Sequence, residues 1–479
     1  MKKLAVVMFV LATLRAQTIV EFPVETSPDS VFATAFSQDN EKFLVIMEKE
    51  LSTGETEIKG QFISKTTYAP LDSPYIFGTT AISMIERIDI AFPQTSFDGN
   101  KFLVAWTDSL SGNYVIKGRF INALTYQMSN EFDIDTSSLL SGFSTLHFNP
   151  VTQLYFLASY DTLTGIFGSF IDTNGNVTAK LQITSQSPQS SYSFAYGNSE
   201  YLICWVNNTN DYEIWGQIIN EDGTPSGSNF LIDGSSQASD NPIFTLFDGT
   251  KFIVLFPDEE IDGWKIYARF VNPDGTVQTA RPLIASSGHI APYAAITGNN
   301  VLITWTSLDS LKVFGRLFDP SGNPLSAEFK IFDTSGTKIP VGNFTTFSDN
   351  KFYVFTNREN IGFNPDSSIY FYNGDIYGAE ITGLSLKESN NNRVYNNSVI
   401  LSLISPRKIS VSFSISVCST VLLKIYDISG KERALLISEK FHPGEYTRKF
   451  SIKNLPSGLY IADLKINSVS RTEKFIFLR

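Results

Sequence analysis

The stretch Thr95-Ser96-Phe97-Asp98-Gly99-Asn100-Lys101-Phe102-Leu103-Val104-Ala105-Trp106 decides how this chain folds. A short apolar-polar run ends in the tight turn Asp98-Gly99, and an apolar strand leaves it. After a polar loop come Val115-Ile116-Lys117-Gly118-Arg119-Phe120-Ile121 and then Glu131-Phe132-Asp133-Ile134. These runs are short, aromatic and β-branched, which favours strand over helix. They make a unit of four strands.

Outward from this unit, the pattern recurs seven times at roughly 50-residue spacing, the range of propeller blades. The second run returns as Lys42-Phe43-Leu44-Val45, Leu154-Tyr155-Phe156-Leu157, Tyr201-Leu202-Ile203-Cys204-Trp205, Lys251-Phe252-Ile253-Val254, Val301-Leu302-Ile303-Thr304-Trp305 and Lys351-Phe352-Tyr353-Val354. The third returns around Gly60, Gly168, Gly216, Gly315 and Gly378, with Ala268 once in place of glycine. A glycine repeated inside a strand marks a bulge or a close backbone approach, expected here where neighbouring blades meet. Asp248-Gly249 and Gly298-Asn299 repeat the first turn, while Asn174-Gly175, Asp222-Gly223 and Asp274-Gly275 follow third strands. Nothing between them reads as a helix. Seven units of four strands predict an all-β fold, a seven-bladed β-propeller whose blades bury their faces against one another.

Near the N-terminus, Val20-Glu21-Phe22-Pro23-Val24-Glu25-Thr26-Ser27 matches the fourth run, as in Glu131-Phe132-Asp133-Ile134-Asp135-Thr136-Ser137. Such an outer strand can complete the last blade, whose first three strands end near Ile381, and so remove two open sheet edges. Leu384-Ser385-Leu386-Lys387 is the rival for that place. The repeat resembles one seen in many secreted bacterial β-propellers, with a consensus like (F/Y)DGxxFLVxW followed by IxGxx(I/V) and a G-x-x-L turn. The resemblance covers residues 18–388. It implies fold and export, and no shared catalytic set.

Beyond Ile381, Lys387-Glu388-Ser389-Asn390-Asn391-Asn392-Arg393 has the composition of a linker. Alternating apolar runs then resume at 409–416, 421–426, 434–437, 446–452, 458–466 and 472–477, with turns at Ser429-Gly430 and Pro443-Gly444. This is the pattern of a small Ig-like β-sandwich. Within it, Leu423-Lys424-Ile425-Tyr426-Asp427-Ile428-Ser429-Gly430-Lys431, His442-Pro443-Gly444-Glu445-Tyr446, Asn454-Leu455-Pro456-Ser457-Gly458-Leu459-Tyr460 and Lys474-Phe475-Ile476-Phe477-Leu478 resemble, in order, the type A C-terminal sorting domain of the type IX secretion system. That resemblance implies an export machinery as partner, passage across the outer membrane, and release or attachment at the cell surface. An Ig-like module without a sorting role is the plainer alternative.

The first residues read as a secretory signal: Lys2 and Lys3, an apolar run over 4–14, and Ala16 before a cleavage at Gln17. The run is too short to span a bilayer, and no later segment suits a transmembrane helix. The expected organisation is a signal peptide over 1–16, a propeller over 17–386, a linker over 387–399 and a sandwich over 400–479. With 42% hydrophobic and 13% aromatic residues the chain has ample surface to bury, so it is globular. Residues 400–479 carry +7 and residues 1–16 carry +3 of a total of −11, which leaves −21 on 17–399. An acidic body of this kind argues against nucleic acid or an anionic membrane as partner. Cys204 and Cys418 lie in different domains inside apolar runs and read as buried thiols. His147, His289 and His442 stand apart, which leaves little from which to build a zinc site or a Ser/His/Asp triad.

Acidic residues follow the second strands, whose loops share one face of a propeller: Glu48 and Glu50, Asp108, Asp161, Asp258 with Glu259 and Glu260, Asp309 and Glu359. As a collar they could hold a basic group or a cation such as a structural Ca²⁺, although no EF-hand spacing supports the latter. Ordinary polar loop residues are the plain alternative. Trp106, Trp205 and Trp305 share a repeat position and are expected in the core, whereas Trp264 is the candidate exposed contact. There is no S-x-D-x-G-x-T-W box, and Arg119, Arg269 and Arg316 recur with the repeat as architecture would. The reading is a monomeric, non-catalytic binding or interaction protein with no assigned catalytic residue, metal or cofactor and an unidentified glycan or protein ligand. The competing expectation is a secreted glycan- or polysaccharide-hydrolysing enzyme that draws two carboxylates from the collar.

Overall fold

The computed structural model describes residues 17–382, 384 and 399–477, apart from 27–30, 83–91, 111–112, 137–139, 162–163, 186–191, 208–211, 235–242, 261–262, 287–288, 299, 308–309, 336–337, 364–368, 406–407, 416–418, 428–429, 442–443, 452–454, 457 and 467–468. Two compact units divide the chain, Met1–Asn149 with Gln153–Ser389 and Asn390–Arg479 with Pro150–Thr152. All elements among the described residues are strands, and every pairing is antiparallel.

The first unit begins with β1 (Thr18–Glu25). Six meander sheets follow. They are β2 (Val31–Gln38), β3 (Lys42–Glu50), β4 (Thr56–Ser64), β5 (Tyr75–Thr80); β6 (Gln94–Phe97), β7 (Lys101–Leu110), β8 (Asn113–Asn122), β9 (Phe132–Asp135); β10 (Leu140–Asn149), β11 (Leu154–Asp161), β12 (Gly165–Asp172), β13 (Val177–Thr184); β14 (Tyr192–Gly197), β15 (Glu200–Asn207), β16 (Glu213–Asn220), β17 (Pro225–Asp233); β18 (Phe244–Phe247), β19 (Phe252–Glu260), β20 (Gly263–Val271), β21 (Leu283–Ala285); and β22 (His289–Thr297), β23 (Asn300–Ser307), β24 (Lys312–Phe318), β25 (Phe329–Phe332). The last sheet contains β26 (Lys338–Ser348), β27 (Lys351–Phe363) and β28 (Ile369–Thr382), and its outer strand is β1, with Thr18 opposite Thr382 and Phe22 opposite Gly378. The N-terminal run therefore takes the fourth place; Leu384 lies outside any strand.

The recurring turn has a local cause. Asp98 Oδ1 accepts the backbone N–H of Asn100 at 2.8 Å and of Lys101 at 2.6 Å. Asp248 does the same for Thr250 and Lys251, both at 2.8 Å, and its other oxygen pairs with the Lys251 ammonium at 2.6 Å. An aspartate three residues before the lysine thus satisfies the turn donors. Asp39 repeats the arrangement with Glu41 and Lys42.

Apolar packing joins each sheet to the next. Leu44, Ile46, Phe62 and Phe77 of the first sheet pack with Phe102, Val104 and Trp106 of the second, and equivalent clusters follow between every consecutive pair. A seventh cluster unites Phe22, Tyr353, Phe355 and Ile376 of the last sheet with Val31, Phe43 and Val45 of the first. Among the described residues the faces are buried in cyclic succession back to the first, which defines a β-propeller. Trp106, Trp205 and Trp305 are fully buried in this packing, as their repeat position predicts. Cys204 is a buried free thiol, while Cys418 and His442 lie outside the described residues.

The repeated glycine marks a close approach beside a register shift, as expected, but not where neighbouring blades meet. A Cβ at Gly60 would lie 2.6 Å from the Phe77 ring, at Gly118 2.8 Å from Phe132, and at Gly378 2.3 Å from Phe22. In each case the ring belongs to the fourth strand of the same sheet. The missing side chain makes room within a blade rather than at a junction, beside a shift in strand register such as that between Ile58 and Lys59.

The second unit contains β29 (Val399–Ser405), β30 (Lys408–Ile415), β31 (Ser419–Asp427), β32 (Glu432–Phe441), β33 (Gly444–Ser451), β34 (Gly458–Ile466) and β35 (Val469–Phe477). They form a three-stranded sheet ordered β29-β30-β33 and a four-stranded sheet ordered β32-β31-β34-β35. Val421, Leu423, Ile425, Tyr460, Ala462 and Leu464 alternate along the two central strands of the larger sheet and are buried.

Candidate functional site

The second strands run further than their apolar cores suggest, so the acidic residues that follow those cores belong to strands. Glu48 lies in β3, Asp108 in β7, Asp161 in β11, Asp258 in β19 and Glu359 in β27. Side chains alternate in a strand. Glu48 is the fifth residue after Phe43, Asp108 and Asp258 are the sixth after Phe102 and Phe252, and Glu359 is the seventh after Phe352, so the set is divided between the two sides of the blades. Glu48, Asp108, Asp258 and Glu359 are all buried, whereas Glu50 and Glu259 are exposed. The side chain of Asp161 and the whole of Asp309 lie outside the described residues.

Two of these carboxylates are held in ion pairs. Asp108 pairs with Lys117 on the neighbouring strand at 2.8 Å and accepts the backbone N–H of Ser109 at 2.8 Å and of Ala81, at the exit of the first sheet, at 3.3 Å. Burial pushes its carboxyl up, but the Lys117 ammonium and these hydrogen bonds outweigh burial and hold it below the usual carboxylate range. Asp258 pairs with Arg281, which also reaches Asp233 on β17 at 3.1 Å; Arg269 meets Asp233 at 2.6 Å. The Arg281 guanidinium stacks on Tyr267, 3.7 Å from the ring centroid.

The sequence reading did not single out Asp233 or its counterpart Asp135, which ends β9, pairs with Lys180 of β13 at 2.7 Å and accepts from Ser159 at 3.5 Å. Both aspartates close a fourth strand and tie it to the following sheet. Their signal was present in the recurrence of an aspartate after isoleucine, Ile134-Asp135 and Ile232-Asp233.

Glu359 differs from the rest. It sits where the pairing of β27 with β28 shifts between Arg358 and Asn360, and its carboxylate fills the space a side chain at Gly374 would need. Burial pushes its carboxyl up to about 7, with Lys338 opposing and Asp375 adding to the shift. Lys338 and Asp375 pair at 2.7 Å. Arg358 beside it reaches Glu21 of β1 at 2.7 Å.

Aromatic side chains of the innermost strands form an arc over four sheets. Phe244 lies 5.0 Å from Tyr293, Tyr293 5.2 Å from Phe344, and Phe344 6.3 Å from Phe36, between ring centroids. Trp264 is half-buried on β20, opposite Glu259. Among the described residues no group of three or more His, Cys, Asp or Glu is arranged to hold a metal ion.

Comparisons with known proteins bear on the two units unequally. Curated protein sequences give no match. The β-propeller domain of the Trilobed protease from Pyrococcus furiosus is similar at 11% identity and a TM-score of 0.44, over 72% of this chain and 94% of that one. A subtype N10 neuraminidase-like protein of A/little yellow-shouldered bat/Guatemala/060/2010 is similar at 10% identity and a TM-score of 0.41, over 76% and 98%. Pyrococcus horikoshii acylaminoacyl peptidase is similar at 12% identity and 0.41, over 81% of this chain and 58% of its own. Likeness at this level assigns neither ligand nor activity. Residues 405–478 match the family described as the secretion system C-terminal sorting domain. The C-terminal segment is therefore a type IX sorting domain, and the protein that carries it is secreted or held at the cell surface.

Proposed function

We propose that this chain is a signal-bearing, seven-bladed propeller over 17–386 joined by a linker over 387–399 to an Ig-like sorting sandwich over 400–479, and that the propeller is a non-catalytic binding module. One observation carries the reading. The strand-end carboxylates that would have to supply a catalytic pair are engaged by cations of their own sheets, Asp258 by Arg281 and Asp108 by Lys117. A general acid and base must instead face a common substrate space. The acidic charge of the body, −21 over 17–399, favours a neutral or basic ligand over an anionic one.

A second reading, hydrolysis of glycan or polysaccharide, leans on Glu359, because a carboxyl titrating at about 7 suits a general acid. The purified exported chain, offered a panel of glycans and envelope proteins while reducing ends are followed, separates the two. Binding without release of reducing ends is the expected result. Turnover lost in both Glu359→Gln and Asp258→Asn would establish the hydrolase instead.

A further inference from the structure

We propose that a cleft between the fifth and sixth sheets is a binding subsite for a neutral, hydroxyl-rich ligand of the saccharide class. The inference rests on the binding-module reading and narrows its ligand. The cleft has a volume of about 520 Å³ and is lined by Thr250, Lys251, Phe270, Asn272, Gln278 and Ser321. It lies at the start of β19, whereas Asp258 is near that strand's other end, about 23 Å away at the rise of an extended chain. It is thus distinct from the strand-end carboxylates.

The lining selects the ligand by charge. Among the described residues no carboxylate lines the cleft, so a cation has little to meet there. Its one cation, Lys251, is neutralised by Asp248 at 2.6 Å and rests over the Phe270 ring at 5.1 Å, so an anion gains little from it. What remains is neutral hydrogen-bonding capacity. Gln278 Nε2 donates to Asn272 Oδ1 at 2.8 Å, which orients both amides and leaves Gln278 Oε1 as acceptor and Asn272 Nδ2 as donor. The Ser321 hydroxyl adds a group of either kind. Adjacent donors and acceptors without net charge match vicinal hydroxyls, and the volume falls in the range of small-ligand sites.

The site is also held in shape before any ligand arrives. The Gln278 N–H donates to the Phe270 carbonyl at 2.9 Å, and Gly275 N–H to Asn272 at 2.9 Å closes the turn below it. On the other wall, Asp319 Oδ1 accepts the Ser321 N–H at 2.9 Å, and the turn packs so closely on Pro282 that a Cβ at Gly322 would lie 2.6 Å from it. Fixed walls lower the ordering cost of binding.

Saturation-transfer NMR and calorimetry on the purified exported chain test this with maltose, cellobiose and N,N′-diacetylchitobiose as neutral probes, and with a uronic-acid disaccharide as the charged one. A neutral disaccharide should bind, Gln278→Ala should weaken it about tenfold, as for one hydrogen bond lost, and Ser321→Trp should abolish it by filling the cleft. Asp258→Asn should leave it unchanged. Neutral binding that survives both cleft variants, binding of the charged probe alone, or no saccharide binding would overturn the subsite and leave a binding module with a site elsewhere. Release of reducing ends from a bound oligosaccharide would instead overturn the binding-module reading itself.

Discussion

Asn357, on the second strand of the last sheet, holds both backbone groups of Ala33 on the innermost strand of the first. Its Oδ1 accepts the Ala33 N–H at 2.7 Å and its Nδ2 donates to the Ala33 carbonyl at 3.0 Å, 324 residues apart in sequence. Ala33 sits where the register of β2 against β3 shifts, so a side chain from the other end of the unit supplies partners at an irregularity in the ladder. Asn357→Ala leaves two buried backbone groups without that partner and should cost about 2–4 kcal/mol in urea unfolding of the propeller. A change within about 0.5 kcal/mol would mean the seam is open in solution.

One ring packs the outer strand of the last sheet on both its own blade and the first. Phe22 fills the space over Gly378 and stacks on Tyr68, in the connection between β4 and β5, at 4.5 Å. Phe22→Ala should therefore destabilise the unit by about 3–5 kcal/mol, more than truncation of a half-exposed aromatic would. Thermal unfolding of the two proteins side by side measures this.

Asp258 is bonded to a guanidinium that is only partly shielded from water, with 21% of the Arg281 side chain exposed. Asp258→Asn should lower stability by about 1–3 kcal/mol, less than a fully buried pair would lose. Ligand affinity, measured by calorimetry on the same protein, should not move. A ligand lost with unfolding temperature unchanged would assign Asp258 to binding.

Glu359 gives the stability a pH signature. Its carboxyl is raised to about 7 in the folded protein, above its ordinary value of 4.5, so the native state binds the proton more tightly than the unfolded chain. The favourable contribution is complete below pH 4.5 and is lost as pH rises through 7. Glu359→Gln should remove that decline and be about 1–3 kcal/mol more stable than the wild type at pH 8. His147, held down to about 4 by burial, acts in the opposite sense over the acid range, so the comparison is between the two proteins at each pH. Parallel pH profiles would contradict the assignment.

What could be read from sequence follows the range of the interactions involved. The turn at Asp98 is decided within four residues, so Asp98-Gly99-Asn100-Lys101 announces it. Trp106 and its two equivalents declare themselves as core through repetition at an apolar strand end. Phe22 was legible as an outer strand because it matches Phe132. The acidic set was harder: β7 continues to Leu110, four residues past Trp106, and places Asp108 inside a strand rather than a loop. A one-residue difference in offset turns Glu48 to the other side of its blade from Asp108, and no local pattern shows that Lys117 or Arg281 waits there. The glycine of the third strand announced a close approach but not whether the approaching ring came from its own blade.

A crystal structure of the exported chain examines the ring most directly. Residues 18–25 should lie hydrogen-bonded along 376–382, with Phe22 over Gly378 and the last sheet seated on the first through Asn357 and Ala33. Residues 384–386 in that outer place, or a gap between the last and first sheets, would contradict the account.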